Sequence, residues 1–266
     1  MKINQIYNEN CIQTMNNMSD DFIDLTVTSP PYDNLRDYKG YKFDFRPIAK
    51  ELFRVTKPGG VVVWIVGDSI INGSETGTSF RQALYFKGIG FNIHDTMIYS
   101  KLNYVPLTHN RYEQMFEYMF IFSKGRPKAF NPILIKTKEH NRTIFRNGLK
   151  AKTLKDEKNY STKFRNKTTI IKEYKIKGNI FEYAVGFNDK TKHPAPFPEE
   201  LVSDHIVSWS NKGDLIYDPF MGSGTTAKMA ILNERNYIGS EISEEYCTII
   251  QERLRPTILQ DKYKLF

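Results

Sequence analysis

Apolar positions along this chain fall into short blocks whose spacing alternates between two periods. "DFIDLTVTSPP" is a compact apolar run stopped by two prolines, the pattern of a buried strand entering a loop. "FRPIAKELFRVTKPGG" follows a helical period: Ile48, Leu52 and Val55 share a face, Pro47 suits a first turn, and Pro58-Gly59-Gly60 reads as the stop. "VVVWIVGD" is a continuous β-branched run, expected as a central parallel strand buried on both faces. "TSFRQALYFKGIG" predicts a helix, and "NIHDTMIYSK" and "EYMFIFSKG" predict strands. Strand and helix in turn imply a doubly wound α/β sheet with right-handed crossovers.

After Gly125 the periodicity weakens. Residues 126–189 are rich in Lys, Arg, Asn, Thr and Tyr and hold few consecutive aliphatics, so they are expected to form an irregular insert. Phe145, Tyr160, Phe164, Tyr174, Phe181 and Tyr183 interleave with its charges, which argues against disorder. Apolar patterning returns at "PFPEELVSDHIVSWS", a helix with Pro198 and two glutamates at its start, where the helix dipole favours acids. Strand "DLIYD", a glycine turn, helix "TTAKMAILNE", strand "NYIGSEI" and helix "EEYCTIIQERL" complete the pattern. Residues 1–125 and 190–266 are thus expected to form one domain, interrupted by 126–189.

Charge sharpens this division. The chain carries +8 over 266 residues, but 124–192 alone holds 19 Lys and Arg against 6 Asp and Glu, leaving the remainder acidic. A localised excess of that size suggests an anionic partner. Cys11 and Cys247 are the only cysteines, so neither a disulfide framework nor a zinc site is expected, and a reducing compartment is favoured. "MKINQIYNENCIQTM" has no secretory pattern and no apolar run approaches the roughly 18 residues of a membrane span, so a cytoplasmic protein without a membrane partner is expected.

Two turns carry candidate chemistry. "DLIYDPFMGSGTTAKMA" is strand, Gly222-x-Gly224, helix, and Glu241 closes the following strand. Glycines let a backbone approach a ligand, and an acid at a neighbouring strand tip can accept bonds from ribose hydroxyls. No Lys-Ser or Lys-Thr follows, which excludes a P-loop, and Ala227 stands where a dinucleotide fingerprint has its third glycine. The other turn, "TSPPY", couples the hydroxyl of Ser29 to Pro30 and Pro31, which offer carbonyls on a stiff frame, and to Tyr32, a face for a planar ring. Rigid acceptors suit an amino group as substrate; a plain strand-ending turn would have the same composition.

Together "TSPPY" and "DPFMGSGTT" resemble the catalytic and cofactor motifs of S-adenosylmethionine-dependent amino-group DNA methyltransferases, and "HPAPFPEEL" is similar to the family segment near the methionine end of the cofactor. The resemblance covers roughly residues 5–125 and 190–255, and its motif order, with the basic segment between the two turns, is that of the circularly permuted beta group. It implies a Rossmann-like, mostly parallel sheet with one antiparallel strand, and a target recognition region at 126–189. It also implies Ser29, Pro30, Pro31 and Tyr32 as catalytic residues acting on a flipped base. Asp218, Phe220, Gly222, Gly224, Thr225, Glu241, His193 and Pro194 become the cofactor set, with no metal. His193 also reads as an ordinary loop histidine, and Glu117, at a target-side position of the family, as a structural acid. Asp68 is a candidate cofactor contact, Arg36 a candidate phosphate contact, and Lys57 a weaker candidate for the site.

Ser at the head of the tetrad goes with cytosine N4 more often than with adenine N6, so cytosine is favoured and adenine is the alternative. The implied partner is double-stranded DNA; a cognate restriction endonuclease and a homodimer are admitted but not required, in a bacterial, archaeal or phage setting. Two other readings compete: a DNA-binding protein with a relict cofactor site, and a methyltransferase acting on a protein amide nitrogen.

Overall fold

Strands and helices alternate in the computed structural model, which describes residues 1–31, 43–103, 110–138, 143–146, 167–170, 172–184 and 197–263. In chain order they are β1 (Gln5–Tyr7), α1 (Cys11–Asn16), β2 (Ile23–Thr28), α2 (Phe45–Val55) and β3 (Thr56–Val66). A short pair, β4 (Ile70–Ile71) and β5 (Ser74–Glu75), precedes α3 (Thr78–Gly88), β6 (Asn92–Lys101) and β7 (Phe116–Ser123). Then come β8 (Leu134–Lys136), β9 (Thr143–Arg146), β10 (Lys167–Ile170), β11 (Tyr174–Ile176) and β12 (Ile180–Tyr183). The last elements are α4 (Glu199–Trp209), β13 (Leu215–Asp218), α5 (Thr225–Leu232), β14 (Asn236–Ser240) and α6 (Glu244–Tyr263).

The chain divides into two units, Met1–Asn131 with Asn179–Phe266, and Pro132–Gly178. The first holds an eight-stranded sheet of order β1-β14-β13-β2-β3-β7-β6-β12, in which β7 alone runs antiparallel to its neighbours. Alternation along the strands sends side chains to two helical layers. Val62, Trp64 and Val66 of β3, with Phe120 and Phe122 of β7, pack with Ile48, Leu52, Val55, Ala83 and Phe86 of α2 and α3. The intervening Met119 meets His205 of α4 at 3.2 Å, which puts α4 on the opposite face.

The chain leaves β2 through α2 toward β3 and leaves β13 through α5 toward β14, and these steps run in opposite directions across the sheet. β2 and β13 are adjacent and parallel, so the winding reverses between them. In open α/β sheets that reversal opens a crevice beyond the carboxyl ends of the two strands, where ligands bind.

Several elements differ from the expectation. α2 ends at Val55, where the Thr56 hydroxyl donates to the Leu52 carbonyl at 2.6 Å. Pro58-Gly59-Gly60 belongs to an irregular start of β3, whose register against β2 shifts between Ile23 and Leu25. Gly59 takes φ +80° there, and a Cβ on Gly60 would come within 2.7 Å of the Thr56 methyl. β3 is parallel to β2 on one side only, because β7 flanks it antiparallel on the other. α6 continues through Pro256 to Tyr263.

The change of texture after Gly125 puts the expected insert at 126–189, whereas the second unit spans Pro132–Gly178. Ile180–Tyr183 pairs in parallel with Ile98–Lys101 as an outer strand of the main sheet, and Phe181 and Tyr183 are buried in the first unit. Alternation explains why the sequence groups them with the charged segment: every second residue of β12 faces solvent.

Candidate active site

The two turns meet through one carboxyl group. β2 ends at Thr28, whose buried hydroxyl donates to Asp218 Oδ1 at 2.7 Å. The same oxygen accepts the Phe220 N–H at 3.0 Å, and Asp218 Oδ2 accepts the Thr226 hydroxyl at 2.7 Å. Asp218 thereby fastens the end of β2, the glycine turn and the first turn of α5. Burial pushes its carboxyl above the usual carboxylate range, and the two hydroxyls and the N–H pull it part of the way back. Ser29, Pro30 and Pro31 follow Thr28 directly, with Pro30 buried.

The glycine turn is shaped by its backbone. Gly222 and Gly224 take φ +55° and +84°, a region that side chains disfavour. Gly224 also caps α5, and a Cβ there would lie 3.0 Å from Ile250 of α6. Glu241, just past β14, receives the Gly222 N–H on Oε2 at 2.8 Å and the Ser243 N–H on Oε1 at 2.9 Å. Burial raises its pKa while those N–H groups act against the rise. Phe220 is partly buried and meets Trp64 and Phe43 edge-on at 6.3 and 5.6 Å.

A second network braces the turn from behind. Arg253 of α6 donates through Nη1 to the Ser223 carbonyl at 2.9 Å, the Ser223 hydroxyl at 2.9 Å and Thr225 Oγ1 at 3.1 Å. Its Nη2 donates to Glu199 Oε1 at 2.7 Å, which Lys228 Nζ also approaches at 2.6 Å. Burial alone would raise the Glu199 carboxyl, but the two cations hold it below its usual range.

The structure therefore brings Asp218, Phe220, Gly222, Gly224, Thr225 and Glu241 into one corner and sets Ser29 and Pro30 beside it. Tyr32, His193, Pro194 and Arg36 lie outside the described residues. Asp68 accepts the Ser79 N–H at 3.0 Å and the Ser79 hydroxyl, so its carboxyl fastens the start of α3. Glu117 pairs with Lys101 at 2.7 Å between β7 and β6. Lys57 pairs with Asp24 at 2.7 Å, and Asp24 also accepts the N–H of Leu215, the first residue of β13. That cluster lies at the amino end of the strands, away from the crevice.

Sequence reasoning missed Thr28, Thr226 and the Arg253 network. Thr28 stands next to Ser29 and was open to notice; nothing local marks Arg253, which acts on residues about one helix and one strand away.

A family profile described as DNA methylase matches residues 23–252. The orphan methyltransferase M.BamHII of Bacillus amyloliquefaciens is 54% identical over 253 residues, covering 92% of this chain and 94% of that protein. The type II methyltransferase M.BglII of Bacillus subtilis is 25% identical, covering 95% and 69%. Among solved structures, the PvuII DNA methyltransferase (cytosine-N4-specific) superposes with a TM-score of 0.69 at 19% identity, covering 95% of this chain and 86% of that one. The M1.HpyAVI–SAM complex gives 0.60 at 23% identity, covering 94% and 99%. These last two establish the Rossmann-like fold. With the profile spanning most of the chain and M.BamHII similar along nearly all of it, the chain belongs to the amino-group DNA methylase family, whose methyl donor is S-adenosylmethionine.

Proposed function

We propose that this chain methylates the exocyclic amino nitrogen of a base flipped out of duplex DNA, with cytosine N4 as its target. The observation that carries the proposal is the Thr28–Asp218–Thr226 bond set, which ties the Ser29-Pro30-Pro31 turn to the glycine turn at the reversal of the sheet.

The residues suit the cofactor. Each Glu241 oxygen accepts one backbone N–H, which leaves lone pairs for the two ribose hydroxyls. Backbone N–H groups at the glycine turn and the start of α5 favour the methionine carboxylate. By family resemblance, His193 and Pro194 would serve the methionine end of the cofactor. When bound, S-adenosylmethionine supplies an electrophilic methyl group on sulfonium.

The protein's own part is electrostatic. The amino lone pair of cytosine is delocalised into the ring and is a weak nucleophile. Ser29 Oγ and the Pro30 carbonyl accept its hydrogens, favouring a pyramidal nitrogen as positive charge develops. Tyr32 stacks on the flipped ring and offsets part of the few kcal/mol that unstacking costs. In-line placement lets the nitrogen take the methyl as its bond to sulfur breaks, and the nitrogen, then cationic, releases one of its two hydrogens as a proton to solvent.

Cytosine is preferred over adenine because serine opens the tetrad. Duplex DNA is the partner this reading requires, and its basic contacts lie in the charged segment between the two motifs; neither a cognate restriction endonuclease nor a second copy enters these steps. The test is a split between binding and turnover. Ser29→Ala should lower kcat about 100-fold or more while leaving cofactor Kd, measured by titration calorimetry, within about twofold of wild type on the same argument. A Ser29→Ala enzyme with wild-type kcat would remove the proposed role of this turn.

A further inference from the structure

The second unit, Pro132–Gly178, holds fourteen Lys and Arg against four Asp and Glu, while the rest of the chain is slightly acidic. Among its described residues are two antiparallel ladders, β8 with β11 and β9 with β10, each a two-stranded ribbon. Directly opposed residues share a face of such a ribbon. Leu134 opposes Ile176 and Lys136 opposes Tyr174, so these four line one face of β8/β11. Leu134, Ile176 and Tyr174 are 56%, 57% and 51% exposed. Ile135, opposite Lys175, is exposed on the other face.

Exposed apolar side chains on both faces of β8/β11 contribute little to its own stability, since a two-stranded ribbon that no described residue covers is marginal in water. Their exposure is therefore better explained by a partner than by a core. Charge selects that partner: Lys136, Lys138, Lys172 and Lys175 border the ribbon, and Glu173, 3.8 Å from Lys136, is the acid among the described residues there. Cations around a small apolar centre match a groove of duplex DNA, where phosphates flank base edges that include the thymine methyl. The major groove, about 12 Å wide, admits a two-stranded ribbon.

We infer that the β8/β11 ribbon enters the major groove of the target duplex, its lysines holding phosphates and Leu134, Tyr174 and Ile176 contacting base edges. The inference rests on the proposed DNA methylation and names the element that selects the site.

The experiment first maps the methylated sequence by sequencing DNA from a host expressing the wild type, then measures Kd for duplexes with and without that sequence over a range of salt. The variant Leu134→Ser/Tyr174→Ser/Ile176→Ser should lower the site-to-nonsite affinity ratio about tenfold or more, with its salt dependence unchanged. The variant Lys136→Gln/Lys172→Gln/Lys175→Gln should weaken both duplexes alike and flatten the log Kd against log salt slope by roughly 0.9 for each phosphate no longer neutralised. S-adenosylmethionine affinity should stay at the wild-type value in both. Independently, alkylation at position 174 of a Tyr174→Cys variant, followed by peptide mass spectrometry, should slow at least fivefold when the cognate duplex is added. A wild-type affinity ratio in the serine variant, or unslowed alkylation under saturating duplex, overturns the ribbon assignment. A wild type that methylates no DNA overturns the proposed function instead.

Discussion

Asp218 is the most informative single residue to perturb, because three donors from three elements converge on it. Asp218→Ala leaves the Thr28 hydroxyl and the Phe220 N–H without their acceptor. The Thr226 hydroxyl can fall back on the Val27 carbonyl, already 3.4 Å away. A buried donor left unpaired costs about 1–3 kcal/mol, so the two cost about 2–6 kcal/mol, and removing a costly buried carboxylate returns part of this, leaving an expected loss of about 2–4 kcal/mol. Asp218→Asn keeps Oδ1 for Thr28 and Phe220 and turns its amide toward Thr226 Oγ, so a loss of about 1 kcal/mol is expected. Urea denaturation followed by circular dichroism measures both. Burial also raises the Asp218 pKa on folding. Stability from this group is therefore full below its unfolded pKa of about 3.9 and is lost as pH rises through the folded value. The wild type should lose stability relative to Asp218→Asn as pH rises from about 4 toward neutrality. An alanine variant within about 1 kcal/mol of wild type, or a wild-type-to-asparagine difference flat over that pH range, would refute the reasoning.

Glu241→Gln retains one carbonyl acceptor for Gly222 or Ser243 but loses the lone pairs assigned to ribose. Cofactor Kd should rise about tenfold, the loss of one hydrogen bond to a charged group, and titration calorimetry would show it; unchanged affinity would separate Glu241 from the cofactor. Arg253→Lys cannot reproduce the fork that spans Ser223, Thr225 and Glu199. The KM for S-adenosylmethionine should rise several-fold with the KM for DNA unchanged, and equal changes in both would indicate general loosening of the fold.

Much of the main sheet was legible because its strands are apolar runs and α2 buries Ile48, Leu52 and Val55 at a helical period behind its Asp44 cap. β1 and α1 were too short for periodicity to register, although the Asn10–Gln13 capping box of α1 is a local signal. β12 hid among lysines because only alternate residues turn inward. α6 looks shorter in sequence than in the fold because its pattern fades at the approach to Pro256, a residue that the packed helix tolerates. At the site, the glycines and Glu241 could be read from one strand-turn-helix-strand stretch, since Glu241 follows Gly222 by 19 residues at the tip of the next strand. The Thr28–Asp218 bond could not, because it joins residues 190 apart that become neighbours only when β2 and β13 pair. Arg253 was hidden in the same way, its helix meeting the turn only in the folded chain.

The central claim is that the two turns act together on an amino nitrogen. Purified protein should be incubated with methyl-labelled S-adenosylmethionine and unmethylated DNA, and the DNA digested to nucleosides for mass spectrometry. The account predicts label in N4-methylcytosine. Label in N6-methyladenine would contradict the choice of base, and label on ring carbon, as 5-methylcytosine, or no transfer at all would contradict the claim itself.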